Sequence, residues 1–429
     1  MTAAPAKEQP WFHLVAGSQP AVLVVPGSMV FELDDDMIAA LDRGDPDALA
    51  ELRSYVKPAR VESGELPPVT ALSLNVAQAC NMSCAYCYAD EGRFGGAARL
   101  MDKDVAFRGI DTLITNASGR SVTVGFIGGE PFLNRALVHD CVDYARATAA
   151  RAGIAVRFSV TTNATLLRDD DIRLLRENRF AVTVSIDGGP PHNQYRRLHG
   201  GRESAAAVAS GILPLLADPG GARVAARTTV TRDNLDVAER IAWLKELGFM
   251  EAGVAPVRTS PRPELILSED DWPVFLESMI AASQIELDRM GSGGQPFFSN
   301  LWVALREIHR GTARPLPCGS AANYLSLDAK GQFHSCHRTI DAPGFGMGSL
   351  DDGMDAVARR AFLEARHVDT QEPCASCWAR YLCGGGCHAE VAAAGRSGCD
   401  YIRGWLDHCL RTYLYVAARH PSLLARGDE

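Results

Sequence analysis

The sequence predicts an α/β protein. A run of β/α units should form a parallel sheet, open or partly closed into a barrel. A small α+β unit precedes it and a cysteine-rich region follows. Three observations carry this reading. From residue 71, strand-like runs alternate with amphipathic helical stretches six times over, and parallel strands need such crossovers. The first sixty residues carry hairpin and helix signals of their own. Eight of the twelve cysteines fall at 318–409, in a loop-rich, glycine-rich stretch without that alternation.

The elements follow in order. In residues 1–65, "AVLVV" and "MVFEL" flank "PGS", which reads as a hairpin. Asp34 to Asp36 can cap the helix "MIAALDRG", and "PDALAELRSYV" reads as a second helix. Residues 57–69, polar with three prolines, read as a linker. Within 66–260 the expected strands are 71–76, 121–128, 155–162, 180–187, 223–230 and 252–257. Stretches such as "DIRLLREN" and "VAERIAWLKELG" are the covering helices. Functional residues should gather at the C-terminal ends of the strands. Residues 261–317 read as a helical bridge, 318–410 as the cysteine-rich domain and 411–429 as a fraying C-terminal helix and tail.

Composition narrows the function. Of 429 residues, 47% are hydrophobic and 22% charged, as in an ordinary soluble protein. A formal net charge of −9 with no basic stripe argues against nucleic acid or an anionic membrane as partner. No apolar run reaches the ~18 residues of a membrane span, and the N-terminus lacks a secretion signal, so a cytoplasmic location is expected. Clustered cysteines in a reducing compartment point to metal or redox chemistry. Cys141, alone in an expected helix, reads as a buried small hydrophobe.

"CNMSCAYCY" places Cys80, Cys84 and Cys87 on the loop after the first strand. Zinc sites usually draw four ligands from separated pairs. Three thiols on one wrapping loop suit a cubane iron–sulfur cluster with one iron left open. These residues resemble the signature of the radical S-adenosylmethionine (SAM) superfamily, Cys-x3-Cys-x2-Cys with an aromatic, here Tyr86, before the last cysteine. The resemblance implies a partial (β/α)6 TIM-type barrel whose open iron chelates SAM and cleaves it to a 5′-deoxyadenosyl radical. "GFIGGEPFLN" ends the second strand, where Gly128 and Gly129 would admit close approach of a ligand. With Glu130 and Pro131 they resemble the family's Gly-Gly-Glu-Pro motif, which holds the SAM amino group. Asn163, Ser185 and Asp187, at later strand ends, resemble the family's ribose and carboxylate contacts. Arg227 is either a structural ion-pair partner or a clamp on the SAM carboxylate.

The second cysteine region runs Cys318-x12-Gly331-x4-Cys336, then Cys374-x2-Cys377-x5-Cys383-x3-Cys387, then Cys399 and Cys409. It resembles the SPASM extension of radical SAM peptide maturases, which carries two auxiliary clusters. The resemblance assigns Cys318, Cys336 and Cys387 to the nearer cluster, and Cys374, Cys377, Cys383 and Cys399 to the outer one. The glycines of "CGGGC" would let one segment serve both. Two zinc sites are the alternative. Cys409 either completes the nearer cluster or is a core thiol that leaves an iron open there. His337, after Cys336, stands where sulfatase-maturing relatives have an aspartate base; it can accept a proton or be a surface histidine.

The resemblance therefore implies an oxidoreductase with SAM and three 4Fe-4S clusters. A flavodoxin or ferredoxin would donate electrons, and a ribosomally made precursor peptide or small protein would be the substrate. "CHAE…CDYIRGWLDHCL" looks closest to crosslink-forming maturases such as those of quinohemoprotein amine dehydrogenase. The expected product is an intrapeptide C–C or C–S crosslink. The alternatives are side-chain oxidation to formylglycine, and a non-catalytic iron–sulfur or zinc electron-transfer module. The N-terminal unit is either a leader-peptide site acting through a strand edge or a packing lid.

Overall fold

The computed structural model describes residues 10–424, except residues 18, 57–64, 118 and 120. Most of the expected linker thus lies outside the described residues.

Three strands open the chain: β1 (Phe12–Val15), β2 (Ala21–Val24) and β3 (Met29–Glu32), antiparallel in that order. The expected hairpin is β2–β3, and β1 is an addition to it. Asp34 caps the helix Asp35–Asp42, accepting from Met37 N, and Asp45 caps the helix Pro46–Ser54. The run "AVLVV" is apolar throughout because both faces of β2 are covered. Val22 and Val24 join Leu41 and Leu52 in a small core, while Ala21, Leu23 and Val25 join the main one. The unit is therefore seated on the body of the protein. His13 stacks on Trp378 with ring centroids 3.7 Å apart and lies 3.0 Å from Asp407.

The next strands are β4 (Ala71–Gln78), the two-residue β5 (Arg99–Leu100), β6 (Ser121–Gly128), β7 (Ala155–Thr162), β8 (Ala181–Ser185), β9 (Arg223–Val230) and β10 (Glu251–Pro256). Apart from β5, they pair in parallel in chain order, and β10 does not close onto β4. One face is apolar: Leu72, Leu74, Val124, Phe126, Val160 and Val184 lie in the main core under the helices. The alternation of strands turns a polar row to the other face. Ser73 pairs with Gly125, Gly125 with Ser159, Thr161 with Thr183, Ser185 with Arg227, and Arg227 with Gly253.

The free edge of β4 is taken by the cysteine-rich region. Strand β11 (Tyr324–Leu327) pairs with it in parallel, Tyr324 opposite Ala71. Strands β12 (Gln332–His334), β13 (Gly346–Ser349) and β14 (Gly353–Met354) extend the sheet antiparallel. Helices Asp271–Gly291 and Ser299–His309 form the bridge, and the final helix, Cys399–Arg419, packs on both. That helix runs unbroken past residue 410. Among the described residues no helix is long and apolar enough to cross a membrane.

Candidate functional site

The loop carrying Cys80, Cys84 and Cys87 leaves the C-terminal end of β4 and is clamped from two sides. Gly129 N donates to Ala77 O (2.8 Å) and Glu130 N to Ala79 O (2.9 Å). Across the loop, Ser83 N donates to Arg197 O and Ala85 N to Tyr195 O. The closeness of Gly128 and Gly129 serves this docking. A Cβ on Gly128 would lie 2.3 Å from Ala77 O; one on Gly129 would lie 2.3 Å from Ala79 O and 2.9 Å from Cys80 Cβ. The end of β4 packs on Gly128, and the start of the cysteine loop packs on Gly129. Pro131 starts the 3-10 turn Pro131–Asn134, where a missing N–H costs nothing.

Two polar networks set the thiols. Asn163 Nδ2 donates to Asn81 Oδ1 (2.9 Å) and lies 3.8 Å from Cys80 Sγ; Asn81 Nδ2 donates to Thr165 Oγ1 (2.8 Å). On the other side the Tyr86 hydroxyl donates to Asp187, whose carboxylate also accepts from Thr229 N (2.9 Å). Arg196 Nη1 donates to the Tyr86 oxygen (3.2 Å). Asp187 is buried, and in this arrangement it holds the cysteine loop. Burial pushes the Cys80 thiol up to about 12 and Cys84 to about 11, with Arg196 opposing at Cys84. Such thiols keep their protons until a metal takes their place. Among the described residues no three Cys, His, Asp or Glu side chains converge on one point as a single-ion site requires.

Glu130 is fully buried at the rim. Its carboxylate accepts from Asn163 N (2.7 Å), Thr162 Oγ1 (2.8 Å) and Phe132 N (3.1 Å). Burial raises it to about 7 against those three donors, so an ammonium group at the mouth would fix its charge. Arg227 is exposed on the inner face, in register with Ser185, and its guanidinium sits over Gly253, where a Cβ would meet Nη1 at 2.4 Å. No carboxylate lies in ion-pair reach of it among the described residues.

The other cysteines fall into two groups by which thiols feel one another's charge. Cys336 feels Cys318 and Cys387. Cys383 feels Cys374, Cys377 and Cys399. Cys318 and Cys387 of the former group and all four thiols of the latter line a cavity of ≈ 660 Å³ that Arg227 also borders. The segment joining them is Gly384–Gly385–Gly386, all with positive φ. A Cβ on Gly384 would lie 2.5 Å from Pro317 Cα, next to Cys318, so only glycine admits this approach. Gly385 leaves 3.8 Å to Cys374 Sγ. Polynuclear groups held by three and by four thiolates fit this arrangement.

Residues 74–249 match the Radical SAM superfamily. The matched stretch is a radical SAM domain. The chain is 26% identical over 367 residues to the serine-type anaerobic sulfatase-maturating enzyme of Klebsiella aerogenes, covering 81% of this chain and 87% of that one. In fold it is similar to native anSMEcpe with bound AdoMet, with TM-score 0.70, 17% identity, and 82% and 100% of the two chains covered. It is also similar to Streptococcus suis SuiB bound to precursor peptide SuiA, with TM-score 0.54, 14% identity, and 91% and 98% covered.

The two remaining candidates, Cys409 and His337, separate in the structure. Cys409 does not join either C-terminal group. It is fully enclosed in the core, where the last helix meets its two neighbours, and burial alone pushes its thiol far up. His337 is half-buried. Its Nδ1 lies 3.0 Å from the Tyr324 hydroxyl, which lies 2.6 Å from Ser73 Oγ on the inner strand face, and 3.7 Å from Cys336 Sγ. Burial, with Arg338 beside it, lowers the ring to about 4 and keeps it neutral. Sequence reasoning missed Asn81, Thr165, Arg196 and Tyr324. The contacts that tie them to the site, Asn81 with Asn163 and Thr165, Arg196 with Tyr86 and Tyr324 with Ser73, span 82–251 residues, and only "YRR" after the fourth strand, a cation pair beside Asp187, offered a signal.

Proposed function

We propose that this enzyme binds SAM at the loop of Cys80, Cys84 and Cys87 and abstracts a hydrogen from a side-chain carbon of a ribosomally made peptide or small protein. The product is an intrapeptide crosslink, C–C or C–S. The observation that carries the reading is the arrangement of three cysteine groups, one at the strand ends and two around the adjoining cavity. The relatives' names and the peptide-bound fold neighbour support a peptide substrate.

When bound, a 4Fe-4S cluster at each group supplies the electron transfers, and SAM at the first supplies the radical. The chain's own residues do the rest. Glu130 holds the SAM ammonium as a carboxylate. Arg227 and Ser185, in register on the inner face, hold the SAM carboxylate. Asn163 steadies Cys80 and faces the ribose side. Asp187, through Tyr86, keeps the loop fixed as charge moves through it. His337, neutral and held by Tyr324, accepts the proton that the substrate loses.

A second reading is oxidation of a serine or cysteine to formylglycine, favoured by the sulfatase-maturating relatives. Both products lack two hydrogens relative to a serine-containing peptide. The test is anaerobic reconstitution with SAM, a reductant and a candidate precursor peptide that contains serine, cysteine and aromatic residues. A crosslink leaves a gap in the fragment-ion series and does not react with hydrazides. An aldehyde reacts. Neither change, with SAM cleaved, points to a substrate other than a peptide.

The N-terminal unit offers its β3 edge to an extended leader, and removing residues 1–56 should weaken peptide binding; unchanged affinity would leave it a packing element.

A further inference from the structure

Arg338 stands between the first and the nearer cysteine groups. Its backbone N donates to Cys336 Sγ (3.5 Å), and its Nη1 to Cys387 Sγ (3.7 Å). The same Nη1 lies 2.7 Å from Glu390 Oε1, and Glu390 Oε2 is 3.7 Å from Arg258 Nε. The guanidinium carbon sits 4.6 Å over the ring of Tyr88, the residue after Cys87. Its Nε is buried without a partner. One residue therefore reaches two of the three thiols of the nearer group, Cys336 through its backbone N–H and Cys387 through its guanidinium; the same cation lies over the loop of the first group, and one carboxylate partly neutralises it.

We propose that Arg338, trimmed by Glu390, sets the reduction potential of the group held by Cys318, Cys336 and Cys387. The inference rests on the reading that this group is an iron–sulfur cluster. Hydrogen bonds to cluster sulfurs and nearby net charge are the levers by which a protein moves such a potential. Reduction adds negative charge, so a cation at contact with the Cys387 thiolate favours the reduced form and a carboxylate opposes it. The two residues act with opposite sign on one couple. Arg338 is a positioning and tuning residue; it need not touch SAM or substrate.

The experiment is a redox titration of the reconstituted full-length enzyme, followed by electron paramagnetic resonance. Arg338→Gln should shift the nearer group's midpoint to more negative values. Glu390→Gln should shift it to more positive values. Arg338→Lys, which keeps the charge, should stay near wild type. The opposed signs separate tuning from structural damage, which would lower iron content or move both variants alike. Should Arg338→Gln fail to hold iron, Glu390→Gln decides: a positive shift supports the proposal, and no shift or a negative one overturns it. A wild-type protein holding iron only at Cys80, Cys84 and Cys87 would refute the cluster reading itself. Three titrating clusters with unmoved midpoints in both variants would refute the tuning role alone.

Discussion

Replacing Tyr86 by phenylalanine removes one oxygen and leaves the ring. That oxygen donates to the buried Asp187 carboxylate and accepts from Arg196. A hydrogen bond to a charged group contributes about 1.5–3 kcal/mol. Thr229 N still reaches Asp187 at 2.9 Å and the Arg196 charge remains nearby, so the loss should be near ~2 kcal/mol. In the iron-free protein this network and the backbone clamps hold the cysteine loop. Local opening should then become roughly 30-fold more frequent, at ~1.4 kcal/mol per tenfold. The assay is amide hydrogen exchange at Ser83, Ala85 and Cys87, whose N–H groups are bonded to Arg197, Tyr195 and Cys84. Asp187→Asn in the same background should add little, because the two residues act as one contact. Exchange within about threefold of wild type would show that the tether does not hold the loop.

Other expectations follow from the same geometry. Cys80/Cys84/Cys87→Ala should abolish SAM cleavage while keeping the iron of the C-terminal groups, as measured by iron content and 5′-deoxyadenosine formation. Cys409→Ala should keep its iron and lose about 1 kcal/mol of stability, whereas Cys399→Ala should lose iron. Glu130 has its pKa raised by folding from 4.5 to about 7, so the folded state binds the proton more tightly than the unfolded. Stability of the ligand-free protein should therefore fall as pH rises through that window, and melting of Glu130→Gln should lack that part of the slope. Gly384→Ala drives a Cβ to 2.5 Å from Pro317 Cα at a positive-φ position, and should lower iron in both C-terminal groups at once.

The barrel was legible because each β/α unit repeats a local pattern: all six expected strands lie within a residue of β4, β6, β7, β8, β9 and β10 at one end or both. The cysteine groups were legible because their spacing is itself the signal. Strand β11 was not, since "YLSL" is four residues long and nothing local says that it pairs with Ala71–Leu74 across some 250 residues. Strand β1 was hidden by its length, four residues, although its partner β2 follows directly in the chain. The tethers of the cysteine loop were also out of reach. Asp187 reads as a short polar group at a mouth, and only the fold shows its carboxylate turned onto Tyr86. Nor does the sequence show that Ala77 O and Ala79 O press on Gly128 and Gly129, because that contact joins two strand ends some 50 residues apart.

The central claim is that a cluster on Cys80, Cys84 and Cys87 keeps one metal position free for SAM. Electron paramagnetic resonance of the reduced, reconstituted enzyme tests it directly. Adding SAM should change one signal, the one missing from Cys80/Cys84/Cys87→Ala, and leave the others as they were. A signal indifferent to SAM, or zinc bound by those three thiols, would contradict the account.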